Sequence, residues 1–94
     1  MEDDRFAWDD TKAKRNLKDH RMSFEIARTA FDDPNAIDNL DDREDYDEER
    51  INRIASIDGV VVFVTFVLRD ERIRIISARG ANKREQTEYF ENLG

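Results

Sequence analysis

The chain has 94 residues, which is enough for one domain, residues 1–94, and leaves no room for a second hydrophobic core. Hydrophobic residues make up 38 % and charged residues 41 %, and the absence of cysteine excludes disulfides and thiolate zinc sites. The net charge of −7 argues against general binding to nucleic acid, because such binding depends on cations that neutralise phosphates.

The N-terminal segment predicts a short strand followed by a helix. Phe6 and Trp8 lie two residues apart, as on one face of a strand. The helix is predicted in "DDTKAKRNLKDH", where helical spacing is shared by Ala13, Leu17 and His20. Asn16 lies one turn before His20, and we interpret the two as a structural polar pair rather than as catalysts.

A second helix is predicted in "SFEIARTAF". Ser23 is a typical N-cap, and Asp32-Asp33-Pro34 ends the helix. Its apolar stripe consists of Phe24, Ala27 and Phe31. The acidic residues that follow predict a short edge strand over 36–40 and then a loop up to residue 49.

The middle of the chain predicts an antiparallel meander. "RINRIASI" and the apolar run "VVVFVTFVL" are typical of strands, and Asp58-Gly59 between them indicates a type I′ hairpin turn. "LRDER" predicts a second turn into a third strand, "RIRIISAR". A C-terminal helix is predicted in "NKREQTEYFENL", with Asn82 and Glu85 as a capping box. The fold class is therefore α+β, with an antiparallel sheet of four or five strands, two N-terminal helices and one C-terminal helix.

The third strand of the meander carries the first candidate site residues. A period of two places Arg74 and Arg79 on opposite faces of this strand. An arginine among isoleucines in a central strand needs a partner, because burying an unpaired charge costs several kcal/mol. The partner is either a carboxylate in a structural salt bridge or an external anion.

The start of the C-terminal helix carries the second group of candidates. Lys83 and Arg84 lie in its first turn, where the helix dipole favours anions, so with Arg79 they predict a phosphate-sized site. The alternative is that these cations pair with the acidic loop. Glu85 is either a helix cap or a proton acceptor, and Tyr89 is either a core residue or a proton donor.

Several of these motifs together resemble one known family. They are "FAWDDTKAKRNLKDHRMSFEIARTAFDDP", the pair Glu49-Arg50, and "RIRIISARGANKRE" followed by Tyr89. In order and spacing they are similar to the BrnT family of type II toxins, small RelE-like ribonucleases, over residues 6–89. The resemblance implies a RelE-like fold.

The resemblance also implies an activity and partners. The family is expected to cleave RNA and inhibit translation, and to be neutralised by a BrnA-like antitoxin in a hetero-oligomer. Operator DNA is expected to bind only through the antitoxin. The chain has no apolar run long enough for a membrane span and no recognisable signal peptide, so a cytoplasmic location is expected.

For the site, the resemblance implies a metal-independent endoribonuclease with no cofactor. The 2′-hydroxyl of RNA would attack the adjacent phosphate, a reaction that needs a proton acceptor, charge stabilisation and a proton donor. The predicted catalytic residues are Arg74, Arg79, Glu85 and Tyr89. The predicted RNA- and phosphate-binding residues are Arg50, Lys83 and Arg84.

Two other interpretations of the cationic cluster stay open. The chain is alternatively a non-catalytic protein-binding module whose cations dock an acidic partner. In a third interpretation residues 41–49 fold over the arginines as an intramolecular clamp, although an acidic segment of this kind also serves solubility.

Overall fold

The computed structural model describes residues 1–41 and 48–94. The strands are β1 (Phe6–Ala7), β2 (Ile37–Asp41), β3 (Arg50–Ile57), β4 (Val60–Arg69) and β5 (Arg72–Gly80). The helices are α1 (Asp10–His20), α2 (Phe24–Ala27) and α3 (Lys83–Leu93), with a 3-10 helix, η1, over Arg28–Asp32. The predicted α+β class, with two early helices and one C-terminal helix, is confirmed. The loop predicted after the edge strand lies largely outside the described residues.

The five strands form one sheet in the order β1-β5-β4-β3-β2. Strands β2 to β5 are antiparallel neighbours, as the meander predicted, and β2 is an edge strand. Strand β1 instead runs parallel to β5, with Phe6 opposite Ile73 and Ala7 opposite Arg74. The sheet is therefore mixed, not wholly antiparallel. A parallel pair needs a long connection, which the helices and strands between β1 and β5 supply.

Both hairpin turns have the backbone that a two-residue turn requires. Asp58 and Gly59 have φ angles of 50° and 84°, which confirms the predicted type I′ turn. Asp70 and Glu71 connect β4 to β5 with φ angles of 53° and 64°, and do so without a glycine. These turns set the register of β3, β4 and β5, and so decide which side chains are neighbours in the sheet.

The hydrophobic core lies on one face of the sheet, beneath α1, α2 and η1. Its buried residues come from β1, α2, η1 and the inward positions of the meander: Phe6, Trp8, Phe24, Ala27, Ala30, Ala55, Val62, Val64, Ile75 and Ala78. Helix α3 packs on the opposite face, where a smaller cluster contains Ile54, Val61 and Tyr89. We call this second face the open face, because α3 covers only the end of it near the Asp58-Gly59 turn.

Of the three residues that share helical spacing on α1, Ala13 packs against the core. Leu17 is 52 % exposed, whereas Asn16 is buried. The Asn16 amide donates to the carbonyl oxygens of Met22 and Ala78 at 2.9 and 2.8 Å, and its Oδ1 accepts from the Ala78 N–H at 3.0 Å. The structural role predicted for Asn16 is confirmed. Its pairing with His20, which is exposed, is wrong, because both ends of the amide are engaged elsewhere.

The second predicted helix is divided. Ser23 is its N-cap, with the hydroxyl accepting from the backbone N–H of Ile26 at 3.1 Å, as predicted. Only Phe24–Ala27 is α-helical, and the chain then tightens into η1 before Asp33. Phe24 and Ala27 are fully buried and Phe31 packs against the same core, so the predicted stripe is confirmed.

Candidate functional site

Arg74 and Arg79 lie on the same face of the sheet. Arg74 is opposite Val67 on β4, and Arg79 is opposite Phe63. Phe63 and Val67 are four residues apart on a strand without interruption, so their side chains point to one side, and residues paired with them point there too. Phe63 packs with the cluster under α3, which identifies this side as the open face. The prediction that the two arginines point to opposite faces is wrong.

The cause is a β-bulge in β5. Thr65 pairs with Ser77 and Phe66 pairs with Ile75, so Ile76 is an extra residue without a partner on β4. The period of two predicted from the sequence restarts after Ile76. Ile75 and Ala78 both enter the core as a result, although they are three residues apart.

The half of the open face that α3 leaves uncovered contains a basic groove of about 360 Å³. We call it the arginine groove, and its described lining residues are Lys12, Glu48, Arg50, Val67, Arg69, Arg74 and Ile76. Lys12 comes from the first turn of α1, just beyond the short strand β1. Four cations and one carboxylate thus converge in a protein whose net charge is −7.

Glu48 and Arg69 form an ion pair on the wall of the arginine groove. Nε of Arg69 donates to one carboxylate oxygen of Glu48 at 2.9 Å, and Nη2 donates to the other. The hydrogen bonds from Arg69 lower the pKa of Glu48, with smaller contributions from the charges of Arg74 and Arg50. Among the residues that the structure describes, none forms an ion pair or hydrogen bond with the Arg74 guanidinium. Arg74 is therefore available to an anion in the groove.

Arg79 is held by Glu85 at the other end of the open face. Its Nη1 and Nη2 donate to the two carboxylate oxygens at 2.8 and 2.9 Å, and its guanidinium lies 4.2 Å from the Phe63 ring centre. Burial alone would raise the pKa of Glu85, but the bonds from Arg79 and from the Asn82 N–H outweigh it, so the pKa is lowered. A carboxylate of the chain already balances the charge of Arg79.

The start of α3 has the predicted capping box. The Glu85 N–H donates to Asn82 Oδ1 at 2.8 Å, and the Asn82 N–H donates to Glu85 Oε1 at 2.9 Å. The cap uses two of the backbone N–H groups at the start of α3, so these two are not free to bind a phosphate. Lys83 and Arg84 are exposed beside this cap, so a phosphate there would meet their side chains rather than a free helix end.

Tyr89 makes its side-chain hydrogen bond to Asp33 and not to either of the predicted catalytic arginines. Its side chain is buried, and its hydroxyl donates to Asp33 Oδ2 at 2.6 Å. This hydrogen bond and burial raise the pKa of Tyr89 to about 12. Asp33 also accepts from the backbone N–H of Ser56 at 2.8 Å, so Tyr89 belongs to a buried contact between α3, η1 and β3.

A row of polar side chains crosses the open face between its two basic ends. The register of the meander aligns four of them on neighbouring strands: Asn39, Asn52, Thr65 and Ser77. The Thr65 hydroxyl donates to Asn52 Oδ1 at 2.7 Å. The face thus presents, in order, the arginine groove, a row of uncharged donors and acceptors, and the Arg79–Glu85 pair.

The model of one protein family matches this chain over residues 8–85, and its description is "Ribonuclease toxin, BrnT, of type II toxin-antitoxin system". The match covers most of the 94 residues. The chain belongs to the BrnT family. It is therefore a type II ribonuclease toxin by family, as the resemblance implied. A search of curated proteins returned no match.

The BrnT match includes the whole arginine groove and ends at Glu85, so Tyr89 lies beyond it. Within residues 1–41 and 48–94, no three His, Asp or Glu side chains cluster closely enough to hold a metal ion. No helix in the same ranges is long and apolar enough to cross a bilayer.

Sequence reasoning did not assign Lys12, Asn52 or Arg69 to a site, and Glu48 entered only as part of the clamp interpretation. One signal could have found Asn52. A two-residue turn at Asp58-Gly59 pairs Ile57 with Val60. Each residue further back on β3 then pairs with one residue further on along β4, which places Asn52 opposite Thr65. Lys12 had no such signal, because its place depends on how α1 packs against the edge of the sheet.

Proposed function

We propose that this BrnT-family chain is a metal-independent endoribonuclease whose active site is the arginine groove. The observation that supports it most is the convergence of Lys12, Arg50 and Arg74 around one ionised carboxylate, Glu48, on an accessible sheet face. Cations fixed in advance by a folded scaffold stabilise the charge that develops on a phosphate during transfer. In a chain with a net charge of −7, a phosphate-binding site requires several cations close together, as in this groove.

The proposed reaction is attack by an RNA 2′-hydroxyl on the adjacent phosphate. The bond from O2′ to phosphorus forms and the bond from phosphorus to O5′ breaks, which gives a 2′,3′-cyclic phosphate and a 5′-hydroxyl. Arg74 and Arg50 hold the non-bridging oxygens and stabilise their extra charge in the transition state. No electron transfer and no co-reactant is needed.

Two groove residues are proposed to move protons. Glu48 accepts the proton of the 2′-hydroxyl, because it is the carboxylate among the described lining residues of the groove. Its ion pair with Arg69 lowers its pKa, so it is in the ionised form that can accept a proton. Lys12 gives a proton to the departing O5′. It is the lysine among the described lining cations, and the arginines beside it do not give up a proton in proteins.

The remaining predicted residues are proposed to position RNA. Lys83 and Arg84 contact a phosphate that flanks the cleaved one. Arg79 contacts the RNA near Phe63, and Glu85 orients the Arg79 guanidinium. This arrangement gives Glu85 a positioning role rather than acid-base work. Tyr89 has no part in the proposed chemistry, because its hydroxyl is buried against Asp33.

We further propose that the chain acts in the cytoplasm, where RNA cleavage inhibits translation and a BrnA-like antitoxin neutralises it in a hetero-oligomer. Membership in a type II toxin family supports the existence of an antitoxin partner. Contact with operator DNA occurs only through that antitoxin, since the chain's own charge of −7 opposes binding to duplex DNA.

Inducible expression of the chain, with and without a BrnA-like antitoxin, tests the function. Growth arrest with fragmented RNA is expected from the toxin alone, and relief from co-expression. In vitro, cleavage by the purified chain should persist in EDTA, and a loss of activity there would overturn metal independence. A docking module without catalysis would leave both growth and RNA intact, which would overturn the proposal.

A further inference from the structure

A second concavity lies on the open face between the polar row and the start of α3. Its volume is about 190 Å³, smaller than the roughly 300 Å³ or more of pockets for drug-sized ligands. We call it the amide pocket, and its lining residues are Asn39, Asn52, Ile54, Phe63, Asn82, Arg84, Glu85 and Glu88. Building on the ribonuclease function proposed above, we propose that this pocket binds one base of the RNA, with guanine preferred.

Asn52 is held in the pocket by a side-chain hydrogen bond to the neighbouring strand. Its Oδ1 accepts from the hydroxyl of Thr65 at 2.7 Å, and Thr65 is itself buried, so the amide oxygen faces β4. None of the described residues accepts a hydrogen bond from Asn52 Nδ2. Because Asn52 lines the pocket and its oxygen is taken, it offers a pair of N–H donors to whatever enters. A base carbonyl or ring nitrogen is a matching acceptor.

Glu88 supplies the complementary acceptor. Its Oε1 receives a long hydrogen bond of 3.4 Å from the Asn39 amide, and no described residue donates to Oε2. Glu85, the other carboxylate of the pocket, already binds Arg79 and the Asn82 N–H. A carboxylate paired with an N–H donor favours guanine, because only guanine presents two adjacent N–H groups beside a carbonyl oxygen. Glu88 would accept from N1–H and N2–H while Asn52 donates to O6.

The shape and position of the pocket fit a planar base. Ile54 and Phe63 give it an apolar floor, and Arg84 at its rim can meet the phosphate of the same nucleotide. On β4, Phe63 lines the pocket and Val67 lines the arginine groove. The four residues from one to the other span about 14 Å of strand. An RNA with a base in the pocket would therefore reach Arg74 with a phosphate further along the same strand of RNA.

Titration of the purified chain with 2′-deoxy trinucleotides tests the pocket, because these compounds lack the attacking hydroxyl and are not cleaved. Four trinucleotides, each of one base, are compared with an abasic one, while the side-chain amide signals of the asparagines are followed by NMR. The guanine compound should bind roughly tenfold or more tighter than the abasic one, and should shift the Asn52 amide. Failure here would leave RNA cleavage as a separate result, so the two proposals can fail independently.

Two variants and a control complete the test. Asn52→Asp keeps an oxygen for Thr65 but replaces the donor with a negative oxygen, so it should abolish the guanine preference. Asn52→Ala should reduce that preference to near the abasic level. Asn35→Ala, at an exposed turn before β2, removes the same residue type and should change nothing. Equal affinity of the wild-type chain for all five compounds, or an unchanged preference in folded Asn52→Asp, would overturn the proposal.

Discussion

Arg74 and Arg79 share the open face because Ile76 bulges out of β5 between them. Their partners on β4 are four residues apart, which corresponds to about 14 Å along the strand. Glu85 holds the Arg79 guanidinium beside Phe63, outside the arginine groove, so the two guanidinium groups do not meet at one phosphate in this structure. They mark the two ends of a surface long enough for several nucleotides of a single RNA strand, and the polar row lies between them.

The Arg79–Glu85 ion pair should stabilise the fold in addition to any role toward RNA. Its two bonds are short and parallel, and the Glu85 side chain is only 14 % exposed. We expect Arg79→Ala and Glu85→Ala each to lower the free energy of unfolding by about 1–2 kcal/mol. The double variant should cost less than the sum, which urea unfolding of all four proteins measures as a double-mutant cycle. Strict additivity would show that the pair contributes nothing.

Acid should remove the contribution of Glu85. Its pKa in the folded chain is lower than the ordinary value of 4.5, because hydrogen bonds from Arg79 and Asn82 outweigh burial. The stabilisation is therefore complete above about pH 4.5 and is lost as the pH falls through the folded pKa. Unfolding measured from pH 6 down to pH 3 should show a smaller decline for Glu85→Gln than for the wild-type chain.

Tyr89 should contribute to stability and lose its effect in alkali. Tyr89→Phe removes the bond to Asp33 and leaves a carboxylate short of one donor, so we expect a loss of about 1.5–3 kcal/mol. The folded pKa of about 12 exceeds the ordinary 10.0, so the wild-type stabilisation is present below pH 10 and is lost between about pH 10 and 12. If Tyr89→Phe declined equally over that range, the bond would have no energetic role. RNA cleavage by folded Tyr89→Phe should stay at the wild-type rate.

Asn16 forms hydrogen bonds with the backbone of β5 at Ala78, because the two-residue strand β1 pairs with β5 only at Ile73 and Arg74. Its amide pairs with both the N–H and the carbonyl of Ala78. Asn16→Ala leaves these buried backbone groups without partners, and we expect it to destabilise the chain by about 2–4 kcal/mol. Asn35→Ala is the matched control and should change the unfolding free energy by less than about 0.5 kcal/mol. A similar small change in Asn16→Ala would contradict this role.

The meander was predictable because its signals are local. Asp58-Gly59 specifies a two-residue turn, and the turn alone fixes the pairing of β3 with β4. The capping box at Asn82 is equally local. The bulge was not predictable, because Ile75 and Ile76 are the same residue type and no turn or glycine marks the extra position.

The site was predictable only in part, because some of its residues come together through contacts that no local signal in the sequence marks. Arg50 and Arg74 were predicted, and the structure brings them into one groove, but Lys12 joins them from a helix far away in the chain. Asn16 rather than Leu17 is buried in α1, because its amide pairs with both backbone groups of Ala78, and helical spacing alone does not show this. The clamp interpretation concerns residues 41–49, of which 42–47 lie outside the described residues, and one of the described members, Glu48, pairs with Arg69.

Glu48→Gln should slow RNA cleavage by about 10²- to 10⁴-fold if Glu48 accepts the 2′-hydroxyl proton. The wild-type rate should fall as the pH drops through the folded pKa of Glu48, which Arg69 holds below the ordinary 4.5. The variant should lack this acidic limb, since its amide does not titrate. A wild-type rate in folded Glu48→Gln would remove Glu48 from the chemistry and leave the phosphate contacts of the groove unaffected.

The most direct measurement of the central claim is single-turnover cleavage of labelled RNA by the purified wild-type, Arg74→Ala and Arg28→Ala chains. Arg28 is a matched control, because it lies on η1, against the opposite face of the sheet, in a partly exposed pair with Asp3. The arginine groove predicts a rate about 10²- to 10³-fold lower for Arg74→Ala and a rate within about twofold of wild type for Arg28→Ala. Wild-type cleavage by a folded Arg74→Ala chain would contradict the assignment of the active site to this groove.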